Sequence, residues 1–463
     1  MATTTVSIGS NQSIDTETPA TSSGSGPSYT VTFGTTPSGI HVGDIGTMST
    51  YNWTEEGSSD YTFLVTAISG ANITLKYCTD SSDFGDASPV GLYSGNGSSG
   101  SPVQQVMVFK RAFSTITLFE AMVDDASPDY WGSSDDVVGE LHADSNFTDA
   151  TVNFDNKQSL SSVTLSVYED DRHDGTAESG ALWKPTSGSG HNQGILRINI
   201  DNMTAEWLDI SFDSLDSTNS NKAIVLAGTN DDNIIRNNLI HDKGGNPGNT
   251  GPFMIHVIGA GVSSDTLSIQ NNIIYNIVET GGDNAIAINT NQWSGTANIY
   301  NNTIYNIDAE GTSKQARGII YGGNANNTTN IKNNIVAKMV ADGAASNERA
   351  YDKTSGSSTE NASNNLSDDT TTTAAYKAPG SDSLQDKTLS EIDFVSTTGG
   401  SEDLHLDTSS VCLKAGVDLG TTNGVNIDID GLDRDATGVT WDIGADQKST
   451  ADSGSPAFLM FMD

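Results

Sequence analysis

The chain is short of cysteine, of positive charge and of long apolar runs. Among 463 residues only Cys78 and Cys412 carry a thiol. They stand far apart in sequence, which argues against a disulfide framework and for two unpaired thiols. No four-residue Cys/His cluster offers a structural zinc site, and no cofactor is expected. Only 21 Lys and Arg face 59 Asp and Glu, a net charge of −38. So acidic a chain repels phosphate backbones and anionic headgroups, so neither nucleic acid nor membrane is an expected partner. It favours solubility and suits salty surroundings, where repulsion is screened. No segment reaches the ~18 apolar residues that a spanning helix needs. The apolar run from Ala457 to Met462 is too short to span and reads as a docking tail or an edge-covering strand. The first residues, Met1 to Val6, show neither a basic nor an apolar leader region, so no secretory signal is expected.

What the chain does have is turn-forming residues and a repeat. It holds 47 glycines against 35% apolar content, a composition that suits a turn-rich all-β protein. A phrase of the form Ile-x-Asn-Asn-apolar-apolar recurs through the second half. It begins at Ile235, Ile269, Ile299 and Ile331, with a worn copy at Ala362. The second asparagines are Asn238, Asn272, Asn302, Asn334 and Asn365, so the steps are 34, 30, 32 and 31 residues. A near-constant period of this size signals a solenoid. Before each phrase comes a second short apolar run, as in Met254 to Ile258 and Ala285 to Ile288. Alternating apolar residues rich in isoleucine favour strands over helices. One such unit cannot bury its apolar face alone, whereas stacked coils can. Asparagine tolerates left-handed backbone and so suits the corner where a strand ends. The pairs Asn237 and Asn238, Asn271 and Asn272, Asn301 and Asn302, and Asn333 and Asn334 are expected to form a structural ladder from coil to coil.

Four segments are expected. Residues 1–28, rich in Ser, Thr and Gly, read as an extended arm. Residues 29–110 alternate in the manner of a small β-barrel or sandwich suited to attachment, with Ser69 to Asn72 as a hairpin turn. Residues 111–390 hold the coils, entered by an amphipathic helix near Phe113 to Val123 that Ser114 or Thr115 could cap. Residues 391–463 form a closing segment and tail.

The repeats resemble the right-handed parallel β-helix superfamily, the pectate-lyase-like fold, over about residues 110–447. The order Leu404-His405-Leu406, Ala415-Gly416, Asp428-Ile429-Asp430-Gly431, Arg434 and Asp442-Ile443-Gly444-Ala445 resembles the terminal segment of many secreted and virus-encoded β-helix proteins. The resemblance implies an all-β, right-handed parallel β-helix solenoid whose open end is closed by the helix. It also implies a homo-oligomer, with a trimer favoured.

Family members that cleave uronates use Asp and Glu to hold calcium, and a basic residue to take the proton. No matching set falls on successive coils here. Residues Glu169 to Asp174 read as a solvated, salt-bridged turn. The candidate catalytic residues are His241, Asp242, Glu279 and Asp283, because carboxylates about 5–9 Å apart can support glycoside hydrolysis. Trp293 is the candidate for stacking on a sugar ring. Asp428, Asp430 and Asp433 faintly resemble a calcium loop, without its twelve-residue spacing, and a turn held by an Asp–Arg434 contact is the better reading. The expected function is a non-enzymatic virion-surface protein of a bacterial virus, a decoration, fibre or spike that contacts other virion proteins and cell-surface polysaccharide. The alternatives are a polysaccharide lyase or glycoside hydrolase, and a non-catalytic surface adhesin.

Overall fold

The structure is a computed structural model that describes residues 3–10, 14–17, 19–24, 28–48, 61–78, 107–124, 134–185, 194–212, 222–228, 231–244, 251–259, 262–323, 327–354, 356, 358–436 and 440–448. It is an all-β parallel solenoid. The coils lay their strands in three parallel sheets, which hold nine, seven and eight strands among the described residues. One coil runs through Thr266–Gln270, Ile273–Glu279 and Ala285–Asn289 before the next begins at Thr296–Tyr300.

The repeat builds this by placing like residues above like. Ile235, Ile269, Ile299 and Ile331 stack in the first sheet. Ile240, Ile274, Ile304 and Val336 stack in another, and Ile255, Ile288, Ile319 and Tyr351 in the remaining one. All twelve are buried in a single continuous core. Alternation within a strand sends one set inward and the other out, as in Thr296–Tyr300. The apolar set of each coil thus finds its cover in the coils above and below.

The helix Ile116–Asp124 buries Ile116, Phe119, Met122 and Val123 against this core. Thr115 Oγ1 accepts from the Leu118 N–H at 3.2 Å, and Asp149 accepts from the Thr117 N–H at 3.0 Å, which satisfies free amides of the first turn. Gly139 lies under the Phe119 ring, where a Cβ would sit 2.6 Å from it.

The arm expected at residues 1–28 is not what the chain builds. Thr3–Ile8 is the outermost strand of the nine-stranded sheet, parallel to Asp136–Leu141. Asp15–Glu17 and Pro19–Gly24 then join a seven-stranded antiparallel sheet that ends with Met107–Lys110. This sheet is therefore inserted between the first solenoid strand and the helix. Val31, Phe33, Phe63, Val65, Ile73, Leu75 and Phe109 form its own core. Tyr61–Ser69 and Asn72–Cys78 make its hairpin, with Gly70 at φ +58° in the turn.

Residues 391–436 and 440–448 do not simply close an end. They run back along the outside of the solenoid as a strap. Outward-facing Leu239, Ile273, Ile335 and Leu366 are fully buried under Ile392, Phe394, Leu404, Leu406, Cys412, Ile429 and Ile443. Cys412 is a free thiol in this layer. The Cys78 side chain and the apolar run at 457–462 lie outside the described residues.

Candidate functional site

The asparagine corner divides its two residues between two tasks. The first of each pair adopts the left-handed conformation, with φ of 54° at Asn237, 55° at Asn271, 52° at Asn301 and 57° at Asn333. Its side chain points away from the coils and donates to strap carbonyls. Asn237 reaches Ile427 and Asp428, Asn271 reaches Ile427 at 2.7 Å, Asn301 reaches Val425 at 3.1 Å, and Asn333 reaches Val417 at 2.8 Å. These four do not form the expected ladder. The second residues do. The Nδ2 of Asn238, Asn272 and Asn302 each donates to Oδ1 of the next coil's asparagine at 2.9 Å, and Asn334 donates to Asn365 at 3.0 Å. Each Oδ1 also accepts the backbone N–H one coil back, as Asn302 does from Asn272 at 3.1 Å. Trp207, at φ +61°, holds the corner position one coil before the asparagines begin.

The candidate catalytic residues fall into two separate structural groups. His241 is buried between carboxylates, its Nε2 2.8 Å from Asp209 and its Nδ1 2.8 Å from Asp242. Burial opposes the imidazolium charge, but the two carboxylates outweigh it and hold the pKa up to about 9. Tyr275 stacks on the ring at 5.3 Å. Asp242 also accepts from Asn276, which in turn accepts from Asn306, so it heads an outer ladder. The repeated Tyr-Asn-Ile at Tyr275 and Tyr305 is the signal that could have revealed it. Glu279 is buried at the end of its strand, accepts from the Gly281 N–H of the following turn at 2.6 Å, and is pushed up in pKa by burial. Lys243 lies within its electrostatic reach and is pushed down to about 8 by burial. Asp283 pairs with Lys314 at 3.8 Å.

Trp293 is 1% exposed and belongs to the solenoid core, so it cannot stack on a sugar without unpacking. The three aspartates of the calcium-like loop turn in different directions. Asp428 is buried and accepts from the N–H groups of Asp430, Leu432 and Gln447, while burial lifts its pKa to about 7. Asp433 accepts from Asn426 and the Asp435 N–H. Only Asp430 faces a potential ligand set. The expected Asp–Arg434 contact gives way to a buried guanidinium that donates to the carbonyls of Gly444, Ala445 and Asp446. In the stretch from Glu169 to Asp174, His173 is buried against the Asn237 carbonyl at 3.0 Å rather than solvated.

The cluster the sequence reading missed is centred on His405. His405, Asp430 and Asp446 place ligand-type atoms within 4.8 Å of one another. With Asp174 and Asp403 they line a surface cavity of about 300 Å³, edged by Val395 and Leu432. Both His405 nitrogens are engaged, Nδ1 by Asp403 at 2.5 Å and Nε2 by Asp430 at 2.9 Å. Burial opposes its charge, yet these carboxylates raise its pKa to about 11. The imidazolium is itself the cation of this cluster, and a metal ion would have to displace its proton. The ring also packs against Gly175, so the cluster fastens the strap to an early coil.

No protein-family model matches the chain, and no curated protein matches it. Among solved structures it is similar to the tailspike protein gp49 from Pseudomonas phage LKA1. The two are 13% identical, and the match covers 81% of this chain and 67% of that one at a TM-score of 0.15. A likeness of that size carries no argument about activity.

Proposed function

We propose that the chain is a non-enzymatic structural protein of a virion surface, a decoration, fibre or spike of a bacterial virus. In this reading the antiparallel sheet attaches it and the solenoid projects. It works as a homo-oligomer, with a trimer favoured, among other virion proteins and in contact with cell-surface polysaccharide. The observation that carries the reading is how the candidate acids and bases are used. His241 is clamped, Asp242 heads a ladder, Glu279 accepts the amides of its own turn and Asp283 holds Lys314. Each supports coil geometry, as befits a protein whose product is its shape. The test is quantitative mass spectrometry of purified viral particles from the source material. The reading expects tens to hundreds of copies per particle. Absence from particles, with cleavage of a capsule or cell-wall polymer by the free protein, would overturn it in favour of a lyase or hydrolase. Polymer binding without particles or turnover would favour an adhesin.

A further inference from the structure

The antiparallel sheet meets the solenoid through Ile45 and Leu64, which join the solenoid core, through Gly43, whose carbonyl accepts from Ser7, and through a set of charged and aromatic side chains beside them. Arg111, just after Met107–Lys110, is buried and binds both bodies. Its Nη1 donates to Asp44 at 3.0 and 3.1 Å, on the sheet side. Its Nε and Nη2 donate to Asp144 at 2.9 and 3.0 Å, on the solenoid side. His41 sits over this pair. Its Nδ1 lies 2.9 Å from Arg111 Nη1 and 4.0 Å from the Asp44 carboxylate, and its backbone N–H donates to Asp44 at 2.7 Å. Its ring lies against His142 at 4.8 Å and Tyr168 at 4.4 Å, both on the solenoid. A guanidinium can only donate and does not lose its proton. The Nδ1 of His41 must therefore be the bare acceptor, which makes His41 neutral in the joined state.

We propose that this joint is acid-sensitive. A proton on His41 Nδ1 sets an N–H against the Arg111 N–H, breaks their contact and loosens the sheet from the first coil while the coils stay wound. The groups facing His41 are Arg111 from the strand end, Asp44 from its own turn, and His142, Tyr168 and Asp171 from the solenoid. Burial, His142 and Arg111 oppose the charge and outweigh Asp44 and Asp171, so the ring is harder to protonate when joined than when free. The sign follows. The stabilisation is complete above the ordinary histidine pKa of ~6.5 and is lost as pH falls below it. His142 does not share this geometry, since its Nδ1 is 3.1 Å from the Asp171 carboxylate.

Hydrogen exchange of the full chain, corrected for intrinsic rates, tests this between pH 7.5 and 5. Amides of Tyr61–Cys78 are expected to lose protection below pH ~6.5, by up to about tenfold per pH unit for one proton. Amides of Thr303–Ala309 are expected to hold theirs. His41→Gln, whose side-chain oxygen accepts from Arg111 but takes no proton, should flatten the sheet's response. Equal sheet protection at both ends of the range, or an unchanged response in His41→Gln, overturns the proposal. Should His41→Gln fail to join at pH 7.5, His142→Gln decides. A retained response supports His41 as the proton acceptor, and a lost one overturns it.

Discussion

At the residue scale, two adjacent asparagines with the same letter do unlike work. Asn272 gives and receives amide bonds in both directions, whereas Asn271 sets the corner and holds the strap by its side chain. Asn272→Ala strips partners from groups sealed in the core, at about 1–3 kcal/mol for each one left unsatisfied. Asn271→Ala loses strap bonds and places alanine in a left-handed conformation, at roughly 1–2 kcal/mol for the backbone. Thermal unfolding should therefore fall further for Asn272→Ala, and equal losses would refute this division of labour. His241 supplies a second prediction. Its folded pKa lies above the free value, so its contribution is complete below pH ~6.5 and fades as pH rises through about 9. The melting temperature should drop across that window in the native chain, and His241→Gln should flatten the drop. A variant with the native slope would show that other groups set it.

At the element scale, the strap is what the solenoid cannot do without. Leu239, Ile273, Ile335 and Leu366 are fully buried beneath it. At ~1.5–3 kcal/mol per side chain, these four alone represent on the order of 6–12 kcal/mol as an upper estimate. That rivals the net stability of a whole domain, about 5–15 kcal/mol. A chain ending at Lys387 should bind an apolar dye and aggregate, whereas a monodisperse product with native melting would contradict the strap's role. Much of the coil architecture could be read in advance because Ile235, Ile269, Ile299 and Ile331 repeat in register with their asparagines. Thr3–Ile8 could not, since its partner Asp136–Leu141 lies more than a hundred residues away and local alternation does not name a partner. The strap hides for a related reason. Its Asp- and Gly-rich irregular path has no period and is set by the Asn237, Asn271, Asn301 and Asn333 side chains it meets. Trp293 and the His405 cluster were misread or missed because burial, and pairs such as His405 with Asp430 and with the Gly175 turn, exist only after folding.

At the scale of the whole molecule, charge and length govern. A net charge of −38 is carried on a chain in which some of the described cations form ion pairs, such as Arg236 with Glu206 and Lys353 with Glu360. Screening should relieve the residual repulsion, so melting is expected to rise between low salt and about 1 M salt, where the Debye length shrinks to ~3 Å. A flat or falling curve would mean that attractive pairs dominate instead. Length is set by another device. The inner asparagine row can be extended by any number of coils, because each amide needs only its neighbour, and it stops where the Ser383 hydroxyl accepts the Asn365 N–H in place of another asparagine. The strap has no such freedom. Between its contacts at Asn364, through Ala415, and at Asn237, through Asp428, it spans four coil steps, or ~19 Å at ~4.8 Å each. A duplicated or deleted coil would leave every later strap contact one step out of place. The strap is thus a ruler laid beside a counter that cannot count itself, and it confines the evolution of this protein to changes within coils rather than changes in their number.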